Sequence, residues 1–178
     1  MMAGKKLELD ETGRAVAENI TRIRTARGLN YTELSKNLMR LHRDITPLAV
    51  RRIEEGQRRV DVDDLMAIAA ALNVSPAALL MPRATRTDEL VQTTAMAEPA
   101  TAERVWDWVA GEQPLVPYGD LSGNDQWVEF AHASWPAWRV REMYDQMYQG
   151  AVEEARREGR DLAKEVAALE ARDDHGDD

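Results

Sequence analysis

The stretch that decides the fold runs from residue 28 to residue 59, GLNYTELSKNLMRLHRDITPLAVRRIEEGQRR. It predicts two short helices in tandem, then a glycine stop and a basic tail. In the first helix Asn30 is the N-cap and Glu33 lies three residues later, a capping-box pair that closes two free backbone donors. Leu34 and Leu38 mark one face at i,i+4 spacing. In the second helix Thr46 is the N-cap and Pro47 the first helical residue, where a missing N–H costs nothing. Val50 and Ile53 form its inward face, and Gly56 stops it. Pro47, Leu48, Arg51 and Arg52 are left on the outward face. A short helix with an apolar back and an arginine-bearing front, held by a second short helix, is the shape that enters a DNA major groove. Two capped amphipathic helices with a loop between them are equally at home in any helical bundle, so the flanking sequence has to decide.

Upstream, AVAENITRIRTARG repeats Val16, Ile20 and Ile23 at helical spacing and ends at Gly28. Downstream, Asp61 caps VDDLMAIAAALN, with Leu65, Ile68, Ala69 and Leu72 on one face, and Asn73 suits the left-handed terminating conformation. Ser75-Pro76 then opens a short helix through Leu80. Charge is also uneven. Residues 14–60 hold 11 Lys+Arg against 5 Asp+Glu, a balance of +6, in a chain whose total is −9.

The runs GLNYTELSKNL, TPLAVRRIEEG and DVDDLMAIAAALNVSPAALL resemble the phage-repressor-like family of the Xre, lambda Cro and lambda repressor type. RRIEEGQRRVDVDDL and the later WDW resemble its actinobacterial and actinophage members in particular. The resemblance covers residues 14–82 and implies an all-α chain that opens with a five-helix, lambda-repressor-like DNA-binding domain. One departure stands out. The short turn between the second and third helices is lengthened to MRLHRDI, with Met39 in place of the usual glycine, and reads as an extended turn.

The resemblance also implies roles by position. Asn30 and Tyr31 match places that touch DNA phosphates. Pro47, Leu48 and Arg52 match places that face base edges. Arg58 and Arg59 lie where the family's loop grips the backbone. Arg24 and Glu54 match a buried ion pair that ties the first helix to the reading helix. The chemistry of these side chains agrees. Arginine engages guanine O6 and N7 with two parallel hydrogen bonds, and Leu48 offers only apolar contact, with thymine methyl as its target. Arg51 reaches either a base or a phosphate. Phosphate contacts from Arg58, Arg59, Arg43 and Arg22 add affinity that is independent of sequence and falls with salt. The alternative for each of these arginines is solvated surface charge.

Composition bounds the remainder. The chain of 178 residues has no cysteine, hence no disulfide, no thiolate metal site and no thiol nucleophile. The start MMAGKKLELDETG lacks the apolar core of a secretory signal, and no run is long and apolar enough for a membrane span. A cytoplasmic protein without cofactor is the expectation. Acid is concentrated late. Residues 1–83 hold 14 basic and 11 acidic side chains, +3, and residues 84–178 hold 9 and 21, −12. DNA repels that second half.

The organisation predicted is a flexible arm over 1–13, the DNA-binding domain over 14–82 and a linker over 83–100, in which DELVQTT suits a short strand. A Trp-rich small helical segment over 101–138, a long helix over 139–172 and a disordered acidic tail over 173–178 follow. All five tryptophans, Trp106, Trp108, Trp127, Trp135 and Trp138, fall in 101–138. They read either as an effector pocket or partner patch, or as a small packing core. Tyr148, Val152, Ala155, Gly159, Leu162, Val166 and Leu169 form a heptad-like seam. It pairs with a second copy or folds back on the tryptophans, or the helix stands alone and frays.

Three function classes follow. The first is a sequence-specific, double-stranded DNA-binding transcriptional regulator, a repressor of bacterial or phage-immunity type. A homodimer would let it read two half-sites about one helical turn apart. The second is an antitoxin or adaptor whose acidic C-terminal half binds a protein partner. The third, an enzyme, lacks support. No paired carboxylates, serine–lysine or serine–histidine–aspartate set, glycine-rich phosphate loop or metal spacing is present.

Overall fold

The computed structural model describes residues 8–116, 119, 121, 123–161 and 164. The chain divides into two compact units, Met1–Asp120 and Leu121–Asp178. Among the described residues it is helical apart from one two-stranded ladder.

The first unit begins with five helices, α1 (Glu11–Ala26), α2 (Tyr31–Arg40), α3 (Pro47–Glu54), α4 (Val62–Ala71) and α5 (Pro76–Leu80). Each of α2 to α5 starts where the sequence places a cap. Asn30, Thr46, Asp61 and Ser75 accept from the backbone N–H three residues on, and Asn30 with Glu33 completes the capping box. Gly28, Gly56 and Asn73 take positive φ at +67°, +68° and +48° and end their helices in the left-handed conformation. Helices this short are marginal alone, so burial holds them. Ile20, Leu34, Leu38, Val50, Ile53, Ile68, Leu72 and Leu79 form one core from all five helices. Each large side chain buried there contributes roughly 1.5–3 kcal/mol.

Polar ties inside this core are local and satisfied. Buried Asn19 donates from Nδ2 to the Leu79 carbonyl at 3.1 Å and the Met81 carbonyl at 2.7 Å, which fastens the end of α5 to α1. Buried Ser35 donates to the Ile45 carbonyl at 2.8 Å, which fastens the α2–α3 turn to α2.

The lengthened turn is ordered by a residue other than glycine. His42 holds φ +58°, the His42 N–H meets the Met39 carbonyl, and the Arg43 N–H meets the Leu38 carbonyl. This is the Schellman pattern, with histidine in the left-handed position. Ile45 then drops into the core.

Three boundaries differ from those predicted. First, α1 starts at Glu11, so residues 11–13 of the predicted flexible arm are helical. Thr12 and Thr94 exchange backbone-to-hydroxyl hydrogen bonds at 3.2 and 3.0 Å, closing a donor in the first turn of α1. Residues 1–7 lie outside the described residues. Second, 83–100 is folded and not a plain linker. β1 (Leu90–Val91) pairs antiparallel with β2 (Ala100–Thr101), and α6 (Ala102–Val109) follows at once. Val91, Ala102, Val105 and Leu115 make a second small core, onto which Met81, Met96 and Trp108 pack. Third, the Trp-rich segment does not hold together as one piece. Trp106 and Trp108 sit on α6 in the first unit, whereas the other three belong to the second.

The second unit contains α7 (Gly123–Ser134) and α8 (Ala137–Arg157). Trp127 and Trp135 meet edge to face at 5.5 Å, and the Arg139 guanidinium stacks over Trp135 at 4.1 Å. His132 Nε2 lies 2.7 Å from the Tyr144 hydroxyl. The single helix predicted over 139–172 is interrupted. α8 ends at Arg157, and Gly159 takes φ +72°, because glycine alone enters that region without a Cβ clash. Ala155 of the predicted seam is already buried within one chain. Leu162, Val166, Leu169 and the acidic tail lie outside the described residues.

Candidate nucleic-acid interface

The candidate surface is built on α3. Pro47 at its first position fixes the entry, and Thr46 Oγ1 accepts the Ala49 N–H at 3.2 Å. Val50 and Ile53 are buried in the core, and that fixes which face turns outward. Pro47, Leu48, Arg51 and Arg52 are all exposed, Leu48 to 56%.

The arginines differ in their partners. Arg51 Nε donates to Glu55 Oε1 at 2.6 Å, an exposed i,i+4 pair that raises the guanidinium's affinity for its proton chiefly through that hydrogen bond. Such a pair contributes only about 0.3–0.5 kcal/mol and yields readily to a stronger acceptor. Arg52 is exposed, and its side chain has no hydrogen-bond or ion-pair partner among the described residues.

Arg24 and Glu54 form a forked pair. Arg24 Nε and Nη2 donate to the two Glu54 oxygens at 2.6 and 2.8 Å, with the side chains 11% and 4% exposed. A third N–H meets the Leu29 carbonyl at 2.6 Å, and the guanidinium lies 4.4 Å over the Tyr31 ring. The Glu54 hydrogen bond, working against desolvation, pushes the Arg24 pKa above its ordinary value. One arginine thus joins α1, the start of α2 and the end of α3.

The residues assigned to phosphates divide into groups. Asn30 spends its side-chain oxygen and backbone N–H on the capping box, leaving its amide nitrogen outward. Tyr31 is partly covered by Arg24. Arg59 is exposed and, among the described residues, its side chain donates only to the Glu8 carbonyl, at 3.2 Å. Arg43 is engaged inward. Its nitrogens reach Asp64 at 2.6 Å, Asp61 at 3.2 Å and Asp63 at 4.0 Å, and the Asp64 hydrogen bond chiefly raises its pKa. Arg58 donates to the second Asp64 oxygen at 2.7 Å. Arg22 turns to Asn19 Oδ1 at 2.9 Å.

Residues 20–79 match the family model described as Helix-turn-helix, over less than half of the chain. This segment is a helix-turn-helix domain of the Xre and lambda-repressor type. No curated protein and no solved structure matches the chain. The helix-turn-helix domain is a DNA-binding regulator module, and among the described residues no helix is long and apolar enough to cross a membrane.

Sequence reasoning missed Asp64 altogether. Asp64 is 1% exposed, yet it reads as one more acid in the first turn of α4. A signal was available. Asp64, Ile68 and Leu72 recur at i,i+4 and share one buried face, so a carboxylate there needed a cation facing it.

Proposed function

We propose that the protein is a sequence-specific, double-stranded DNA-binding transcriptional repressor that inserts α3 into the major groove. The observation that carries this reading is the outward face of α3. It presents Leu48 and an Arg52 without a partner among the described residues on one face, while Val50 and Ile53 lock its back in the core. Arg52 reads a guanine, Leu48 meets a thymine methyl, and Pro47 sets the approach. Arg51 joins them by exchanging Glu55 for DNA. Arg58 and Arg59, with Asn30 and Tyr31, hold the phosphates on either side. Arg43 belongs to the scaffold that supports them. The protein works in the cytoplasm, on DNA, without catalysis, and occludes a promoter.

A single domain of this size reads few base pairs, so a homodimer on two half-sites is part of the proposal. Tyr144, Met147 and Tyr148, exposed along α8, support it. Sedimentation of a monomer at micromolar concentration, with and without operator DNA, counts against it. A second reading, an antitoxin or adaptor, draws on the balance of 9 basic to 21 acidic residues over 84–178. Co-purification of a basic partner favours it.

Selection from a randomised duplex pool tests the main reading. Arg52→Ala should relax preference at one guanine and cost about 1–3 kcal/mol there. Arg59→Ala should weaken all sequences alike and reduce the salt slope by about 1. Equal loss at every site in both variants refutes the division of roles.

A further inference from the structure

We infer that Asp64 is a positioning residue for the DNA grip, acting through Arg58. The inference rests on the proposed docking of α3 and deepens it. Asp64 lies in the first turn of α4, away from the outward face of α3, and its carboxylate is almost wholly buried. Oδ1 accepts from Arg43 Nε at 2.6 Å and Oδ2 accepts from Arg58 Nη2 at 2.7 Å. Arg43 comes from the turn before α3 and Arg58 from the loop after it. One carboxylate therefore spans the two segments that flank the reading helix.

A buried carboxylate is tolerated only when it is paired, so these contacts are obligatory in a way that surface ion pairs are not. The two arginines use Asp64 differently. Arg43 has Asp61 and Asp63 as well, so three carboxylates meet its charge. Arg58 has Asp64 alone among the described residues, and its side chain is 39% exposed. A guanidinium carries five N–H donors, and Asp64 takes one of those on Arg58. The other four have no partner among the described residues and are free to meet an acceptor outside the chain. The loop backbone is held too, with the N–H groups of Gln57 and Arg58 on the Arg52 carbonyl at 2.7 and 3.1 Å. An arginine anchored by one prong reaches a phosphate with less rotamer freedom left to lose.

The opposite possibility is that Asp64 competes with phosphate and holds Arg58 off the DNA, and it predicts the opposite sign. The test uses the full chain and a duplex selected from a randomised pool. Affinity is measured across a potassium chloride series, corrected for active fraction and taken well below every unfolding midpoint. Arg58→Ala should weaken binding about tenfold and lower the salt slope by about 0.9. Asp64→Asn should do nearly the same, the double variant should be no worse than Arg58→Ala, and guanine preference at the Arg52 position should persist.

Full affinity in Asp64→Asn, tighter binding, or losses that multiply in the double variant overturn the inference while leaving the DNA reading intact. No effect of Arg58→Ala removes the phosphate role itself, and the inference with it. Should Asp64→Asn not fold, arginine Nε–H relaxation in the unaltered protein decides. Arg58 and Arg43 should approach backbone rigidity, with order parameters near ~0.85, and Arg59 should fall below ~0.6. An Arg58 as mobile as Arg59 overturns it.

Discussion

Replacing Arg24 by methionine should destabilise the helix-turn-helix domain by about 3–5 kcal/mol. The magnitude follows from what the substitution strands. The Glu54 side chain is 4% exposed and loses both donors, at 2.6 and 2.8 Å, so a nearly buried carboxylate stays behind without its cation. The Leu29 carbonyl loses its 2.6 Å contact, worth about 1 kcal/mol, and the stacking over Tyr31 goes, worth about 0.5–1 kcal/mol. Methionine keeps the apolar stem, so packing contributes little to the loss. Glu54→Leu should cost less, about 1–3 kcal/mol, because the long Arg24 stem can carry its head to solvent. With both groups apolar neither charge is stranded, so the double variant should cost only about 2–4 kcal/mol, about half the sum of the two single losses, a coupling of about 2–4 kcal/mol. Urea unfolding followed by far-ultraviolet circular dichroism gives the totals. Amide exchange at Ile20, Leu34 and Ile53 ties them to this core. If the two single losses simply add in the double variant, the pair is not the unit described here.

Three further outcomes are expected. His42→Gly should stabilise the domain by about 0.5–1 kcal/mol, since glycine occupies the left-handed position without the Cβ penalty, and His42→Ala should not; thermal unfolding of both variants decides. Ile45→Ala should cost about 2–5 kcal/mol and, in the folded fraction, blur base preference at the Arg52 position, because Ile45 seats the turn that aims α3; selection from a randomised pool reads it. Glu89 is held below its ordinary pKa of 4.5, first by the Thr85 hydroxyl and then by the Thr85 N–H, so its contribution is complete above that value and lost as pH falls through the lowered one. Protection of the Val91 and Ala102 amides should therefore decline on acidification in the natural protein and lose that dependence in Glu89→Gln, and matching profiles would contradict it.

Legibility along the chain tracked how local the determining physics is. Caps, stops and the buried faces of α2 to α5 are set by residues three or four apart, and they stand where periodicity puts them. The Arg24–Glu54 pair spans 30 residues and was named only through a family resemblance, although its geometry is plain in the structure. Asp64 was missed because its partners, Arg43 and Arg58, lie 21 and 6 residues away and read as phosphate contacts. β1 falls within DELVQTT, the stretch that suits a short strand, whereas its partner β2 was hidden by its length, since a two-residue strand carries no alternation to detect. The overlong C-terminal helix arose from counting apolar spacing past Gly159 as if glycine cost only propensity, when it also licenses a turn out of the helix.

The lengthened turn shows why a helix pair can keep its geometry while its connector grows. Closing a longer loop is cheap, about 0.6 kcal/mol for each doubling of length. A single buried isoleucine contributes roughly 1.5–3 kcal/mol, so Ile45 alone outweighs the extra chain. What a longer connector threatens is orientation, and here orientation is tied at three points. The turn at His42 closes the end of α2, with the His42 N–H on the Met39 carbonyl and the Arg43 N–H on the Leu38 carbonyl. Ser35 holds the Ile45 carbonyl from inside α2. Arg43 runs to Asp61, Asp63 and Asp64 at the start of α4, a helix outside the pair, so this tether outlasts the loss of Asp64 alone. Tethers to α2 alone would leave the turn free to swing about that helix. The third tether removes that freedom because it ends on a different wall of the core. Insertions in this connector are compatible with groove reading so long as one residue falls into the core and one charge reaches across it, and in this chain Ile45 and Arg43 meet both conditions.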